Sequence, residues 1–313
     1  MARPDWKRLF HLVKWSVQDF SRDDAFTQAA AISYSTIFTI TPLLLVVIAI
    51  LGAVYGSAQA HDQLLARVGS MTGDQGRKFL DSMLRNAAKN GAAGSVVGIG
   101  VTLIGATSLF ARIKQSLNQV WDVQPTRNAV VQLLLSRVMG FGLVLVVAAL
   151  FILMLAVSTA VSALWGHIDQ SLAIPGWIFT VLDFLLSVVV AAVIFAVVFK
   201  WLPDAVIDWR EAWIGAGITA VLFAAGKVGL GMYLGRSGTF GIYGAAASLV
   251  VLLVWVYYSS AAFLLGAELT QCHAKMHGKE IVPAPWAQRV EHNQPAKADE
   301  PPHDHDLKHG HLA

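Results

Sequence analysis

Charge is what this chain has least of. Only 14% of its 313 residues are Asp, Glu, Lys or Arg, where a water-soluble domain carries about a quarter. A single cysteine, Cys272, excludes an intrachain disulfide framework. No Walker loop, dinucleotide glycine pattern, Ser/His/Asp set or haem-ligating arrangement occurs, so the reading is of a protein that is not an enzyme and uses no cofactor. A basic stripe is missing too: the net charge is +3, but Lys and Arg are scattered, which argues against nucleic acid as a partner. No cleavable signal peptide is expected, because the first 28 residues are charged and the first apolar block is longer than a signal h-region.

What is present is hydrophobicity: 56% of residues are apolar and the mean hydropathy is +0.58. The apolar residues come in blocks, and a spanning helix needs about 20 of them. Six blocks run from Ala29 to Gly56, Gly94 to Phe110, Val138 to Leu164, Trp177 to Phe199, Trp213 to Leu234 and Gly241 to Ala267. The expected fold is therefore all-α, a polytopic transmembrane bundle of about six spans with amphipathic interfacial helices. Its parts are an N-terminal amphipathic helix (1–28), a six-span domain (29–272) with an outer loop at about 57–93, and a disordered His-rich tail (273–313).

Charge asymmetry orients the bundle. With both termini cytoplasmic, 16 of the 23 basic residues lie inside, and five of the six outer ones fall in the long 57–93 loop. Tryptophans favour the headgroup level, and Trp165 and Trp177 bracket one short outer loop while Trp201, Trp209 and Trp213 bracket an inner one. Residues 57–93 are expected to form short outer helices, with Phe79, Leu80, Met83 and Leu84 on one face. Before the first span, Trp6, Leu9, Phe10, Val13, Val17 and Phe20 recur at helical spacing. That helix either lies on the membrane or packs on the protein's own inner face. A second amphipathic stretch sets Phe110, Ile113, Leu117, Val120 and Trp121 opposite Arg112, Lys114, Gln115 and Asn118. Pro42 is expected to kink the first span, and two GxxxG pairs, Gly94/Gly98 and Gly231/Gly235, suit close helix packing.

The stretch AAAISYSTIFTITPLLLVVIAILG (Ala29 to Gly52), the segment GATSLFARIKQSLNQVWDV (Gly105 to Val123), the LPD and WREAWIGA run (Leu202 to Ala216) and YGAAASLVVLLVWVYYSSAAFLLGAEL (Tyr243 to Leu269) resemble the YihY/BrkB family. The likeness covers about residues 25 to 272. It implies a bacterial inner-membrane protein with six spans. The family has carried a ribonuclease BN label, a virulence-factor label and links to envelope lipid export. A nuclease needs a spaced metal-ligand or acid/base set, and the dense candidate HDHDLKHGH, with His303, His305, His309 and His311, has Leu307 and Lys308 where a metallo-β-lactamase-type signature wants Asp and His. Those histidines are weak metal candidates in a solvated tail, and Cys272, His273 and His277 form a three-donor set lacking a fourth.

Charges inside a bilayer are functional candidates. Asp183 and Lys227 fall at similar expected depths on sequential spans, where they would pair for transport or for structure. Glu268, at the inner end of span six, is read as a solvated interfacial group or, second, as a cation or proton site. Arg210 and Glu211 are read as an interface anchor and helix N-terminal charge, Asp122 as a cap or contact. The favoured function is a transporter or lipid export factor for an amphipathic or anionic substrate, in contact with membrane lipids; the alternatives are a scaffolding envelope protein and, weakest, a tRNA-processing ribonuclease. A homo-oligomer stays open.

Overall fold

The computed structural model describes residues 6–55, 57–89, 96–128, 131–132, 134–143, 145–146, 149–150, 152–153, 177–236, 247–279 and 281–290. Long helices dominate them. In chain order they are α1 (Trp6–Arg22), α2 (Ala25–Tyr55), α3 (Ser57–Lys89) and α4 (Val96–Val120), then α5 (Leu134–Leu143), α6 (Trp177–Trp201), α7 (Trp209–Arg236) and α8 (Ala247–Met276). Four short strands sit at the helix ends: β1 (Val123–Pro125), β2 (Ala205–Val206), β3 (Val282–Pro283) and β4 (Ala287–Arg289). β1 pairs antiparallel with β4 and β2 with β3. The chain is thus a helical bundle carrying two small ribbons at one end.

The surface is apolar where a water-soluble bundle would be polar. Tyr34 and Phe38 on α2, Phe184, Leu185 and Val189 on α6, and Val221, Val228 and Met232 on α7 all point outward. Large side chains exposed at helical spacing need hydrocarbon around them. Among the described residues three helical stretches are long and apolar enough to cross a membrane, Phe184–Trp201, Trp209–Leu230 and Leu249–Met276, and Leu134–Leu143 is a shorter apolar helix. The expected count was about six; the other three blocks fall partly outside the described residues.

Close backbone approach builds the centre. α7 packs against α6 and α8, and α8 also against α1, α2 and α3. A Cβ built on Gly215 would stand 2.7 Å from the Gly266 carbonyl oxygen, and one on Gly266 would meet the Thr219 hydroxyl. Thr219 and Thr270 in turn donate to the carbonyls of Gly215 and Gly266, both at 2.8 Å. Only glycine leaves room at such a crossing. The GxxxG pairs singled out in the sequence lie, as side-chain positions, outside the described residues.

Two expectations change. The 57–93 segment is not a set of short helices: α3 runs unbroken for 33 residues, because Leu64, Leu65, Leu80 and Leu84 keep one apolar face buried along its length. The region after 273 is not disordered throughout, since α8 continues to Met276 and residues 282–283 and 287–289 pair as strands. Their backbone donors and acceptors find partners in the loops after α4 and α6, which a composition-based reading cannot see. α1 packs on α8, with Leu12 against Leu269 and Met276; of the two readings offered for it, the structure supports packing on the protein itself. At Pro42, α2 continues as helix on both sides.

Candidate functional site

Polar side chains gather at the ribbon-bearing end. Lys114 and Asn118 are one helical turn apart on α4 and so share a face. Both reach Asp204, held just after α6 in the LPD turn. Asp204 Oδ1 accepts from Lys114 Nζ at 2.9 Å and from Trp286 Nε1 at 2.8 Å. Asn118 Nδ2 donates to Oδ2 at 2.9 Å, and Asn118 Oδ1 accepts the Asp204 backbone N–H at 2.8 Å. The Asp204 carbonyl accepts from the N–H of Ala284 at 2.9 Å. Asp204, Lys114 and Asn118 are all buried, so the carboxylate is taken from water and given a donor on each oxygen. Arg127 lies over the Trp286 ring at 4.6 Å and closes this knot from outside.

A second carboxyl is treated differently. Glu268 on α8 is fully buried, and neither of its oxygens meets a hydrogen-bond donor. The group it faces is another acid, Asp23, in the connector between α1 and α2. Burial, and then the Asp122 carboxylate, push the Asp23 carboxyl from the usual 3.8 up to about 6; contact with Glu268 pulls the other way. Around the pair, Cys272 Sγ lies 3.6 Å from Asp19 Oδ2 on α1. Gln119 Nε2 donates to the Asp23 carbonyl at 3.0 Å, and Gln28 Nε2 to Gln119 Oε1 at 2.7 Å. Trp121 Nε1 donates to the Ala267 carbonyl at 3.3 Å, pinning the end of α4 beside Glu268.

The third cluster joins the start of α7 to the end of α8. Glu211 Oε2 bonds His273 Nδ1 at 2.5 Å, and His273 stacks with His277 at 4.2 Å between ring centroids. Lys279 Nζ pairs with Asp208 at 2.6 Å and reaches Glu211 at 3.7 Å. The pairing holds the exposed Asp208 carboxyl below, and the Lys279 amine above, their ordinary values.

Two hollows lie along α4. A polar cleft of about 520 Å³ is lined by Lys114, Asn118, Gln119, Asp122, Gln124 and Ser136, among others. An apolar groove of about 300 Å³ is lined by Ile104, Thr107, Arg137, Val138 and Phe141. Arg137 Nη1 lies within hydrogen-bonding distance of the Ile104 carbonyl (2.7 Å), Ser108 Oγ (2.6 Å) and Thr107 Oγ1 (3.1 Å). Ile104, Thr107, Ala111, Lys114 and Asn118 follow one another at spacings of three and four, so a single α4 face leads from the groove to the cleft.

Several anticipated residues fall elsewhere. Glu268 is not a solvated interfacial group: the span expected to end at Ala267 continues to Met276, so the glutamate lies within the packed helix. Glu211 is the acid in the first turn of α7, as expected, but it is buried at 2% exposure against His273, while Arg210 is exposed. Cys272, His273 and His277 diverge, the cysteine turning to Asp19 and the histidines to Glu211 and each other. Asp122 takes φ +52° after α4 and its carbonyl accepts the Val290 N–H at 2.8 Å. Trp201, Trp209 and Trp213 are half exposed, with Trp201 and Trp209 rings in edge contact. Lys227 is half-buried on α7. The side chain of Asp183, with its expected pairing, and the side chains of Pro42, Trp165 and Trp177 lie outside the described residues, as do His303, His305, His309 and His311. Among the described residues no group of three His, Cys, Asp or Glu side chains is placed to hold a metal.

Asp204 is not among the residues the sequence singles out, and Lys114 and Asn118, expected opposite the apolar stripe of α4, are buried instead. The available signal was an interrupted wheel: Lys114 and Asn118 border the apolar stripe of α4 instead of opposing it.

A UPF0761 membrane protein of Verminephrobacter eiseniae is 30% identical over 86% of this chain and 63% of its own length. One from Rhodospirillum centenum is 29% identical over 83% of this chain and 56% of its own length, and one from Tolumonas auensis 28% over 85% and 82%. The chain thus spans about six-tenths of the length of the first two. No solved structure matches it. The family described as Virulence factor BrkB matches residues 16–291, nearly the whole helical bundle with both ribbons, and the chain belongs to that family of integral membrane proteins.

Proposed function

We propose that the protein is a carrier or export factor for an amphipathic, anionic substrate of the lipid type. It would sit in the bacterial inner membrane with about six spans and both ends in the cytoplasm. The observation that supports this is the α4 face, where an apolar groove holding one arginine continues into a polar cleft with Lys114 at its wall. An acyl chain suits the first and an anionic headgroup the second. The reading leaves no role for RNA cleavage, and tail-deleted protein incubated with tRNA is expected to leave it intact. In this orientation the clusters at Asp204, Glu268 and Glu211 face the cytoplasm, and Asp183 and Lys227 remain a proposed pair deeper in the bundle.

The test is movement of a fluorescent anionic phospholipid between leaflets of vesicles containing the purified chain. Arg137→Gln should slow transfer by at least about tenfold, equivalent to ~1.4 kcal/mol, while the protein stays folded. Equal transfer in empty vesicles and in vesicles with the chain would remove the carrier reading and favour a scaffold.

A further inference from the structure

Glu268 presents a physical problem that its surroundings solve in one way. The side chain is fully buried and both oxygens lack a donor. An ionised carboxylate left so is strongly unfavourable. Its neighbour Asp23 is also an acid, and two carboxylates offer four acceptor oxygens and no hydrogen. One proton placed between them supplies the missing donor and removes one of the two like charges.

The charged groups around the pair do not do this work. From α1 comes Asp19, whose Oδ2 lies near the Cys272 thiol; from the end of α4 comes Asp122; both are acids and add to the negative field. α8 itself contributes Lys275, the one cation acting on both members, and it counts among the weakest influences on each. α2 contributes the neutral Gln28, which bonds Gln119 and accepts from the Arg112 guanidinium of α4, so that cation is engaged on Gln28 and not on either acid. Without a nearby ammonium or guanidinium in contact, and without three ligands set for a metal among the described residues, the smallest cation is the one that fits.

We propose that Asp23 and Glu268 form a proton-binding site, a carboxyl pair that ties the α1–α2 connector to α8 most tightly when Asp23 holds its proton against Glu268 and loosens as Asp23 ionises. The site is independent of the carrier reading and would operate whether or not a lipid moves. Protonation adds no new covalent partner: the proton comes from and returns to water, and the hydrogen bond between the acids forms and breaks with it. The direction follows from linkage. Asp23 binds its proton more tightly folded than unfolded, so this contribution to docking is complete below the ordinary aspartate range and is lost as pH rises through about 6.

The experiment is infrared difference spectroscopy of the full chain in lipid nanodiscs, titrated from about pH 5 to about pH 8 across the range where perturbed acids titrate. Hydrogen exchange of residues 19–28 is followed in parallel. The expected result is one protonated-carboxyl band that disappears with a midpoint near 6, accompanied by faster exchange in the connector. Asp23→Asn should abolish the band. Glu268→Gln, whose amide can donate to Asp23, should move the midpoint down by at least about one pH unit, a tenfold change in proton affinity. Absence of a titrating band in the wild-type chain overturns the proposal, and this arm needs no variant to fold. A midpoint unmoved in both variants overturns it as well. A midpoint shifted by sodium or calcium at constant ionic strength overturns it in favour of a metal-cation site.

Discussion

Asp204 and Glu268 are both buried carboxyls at the same end of one bundle, and they are handled in opposite ways. Asp204 has a lysine, an asparagine and a tryptophan N–H on its oxygens; Glu268 has no donor on either. Burial alone therefore says little about a charged residue. A carboxylate surrounded by three donors from two distant segments works as a fastener, because removing any partner strands the rest. One surrounded by other acids is held in a state that depends on solution conditions, and its replacement by a neutral isostere should relieve the protein.

The sharpest way to break this comparison is at Asp204. Asp204→Ala leaves Lys114 as a buried unpaired cation and should cost about 3–5 kcal/mol, read as loss of the folded peak in detergent size-exclusion after mild heating. The double change Lys114→Met with Asp204→Leu should recover much of it. Next comes the α7–α8 crossing, two residues along α8 from Glu268: Gly215→Ala pushes against the Gly266 carbonyl and should cost about 1–3 kcal/mol by overpacking, seen as a lower unfolding midpoint. Glu268→Gln is expected to leave stability unchanged or raise it above about pH 7, with the gap to wild type closing as pH falls below about 6; a Glu268→Gln loss as large as that of Asp204→Ala would show that the two acids are alike after all. The smallest effect belongs to Lys279→Gln. Its ion pair with Asp208 is exposed and screened, and the unfolding midpoint should not move measurably in moderate salt.

Hydropathy made the helices legible because a spanning segment announces itself by length, and α6 and α7 fall close to the blocks drawn from it. The ends were less legible. α8 runs nine residues past Ala267, since Leu269, Cys272, Ala274 and Met276 bury against neighbours that no local pattern reveals. The same limit applies to the site. Lys114 and Asp204 are ninety positions apart, and a lysine near an apolar stripe looks like any snorkelling lysine until its partner is in place. Glu268 was noticed as a charge but placed at the surface, because its burial depends on α1 and the connector folding over it. The ribbons escaped notice for a related reason: strands of two or three residues carry no periodicity.

Those ribbons impose an order of events. β3 and β4 lie within residues 282–289, yet they complete structure begun at 123–125 and 205–206, and Trp286 supplies a donor to a carboxylate made some eighty residues earlier. During synthesis α4, α6 and the loops after them are made well before that short segment exists. Lys114, Asn118 and Asp204 must wait with one acceptor position open, and the loops after α4 and α6 must wait with unpaired backbone edges. The 282–289 stretch is therefore a latch. A chain truncated before residue 282 should insert normally and then fail as a folded protein, open to proteases at one face, whereas fusions placed after 290 should leave the closed end intact.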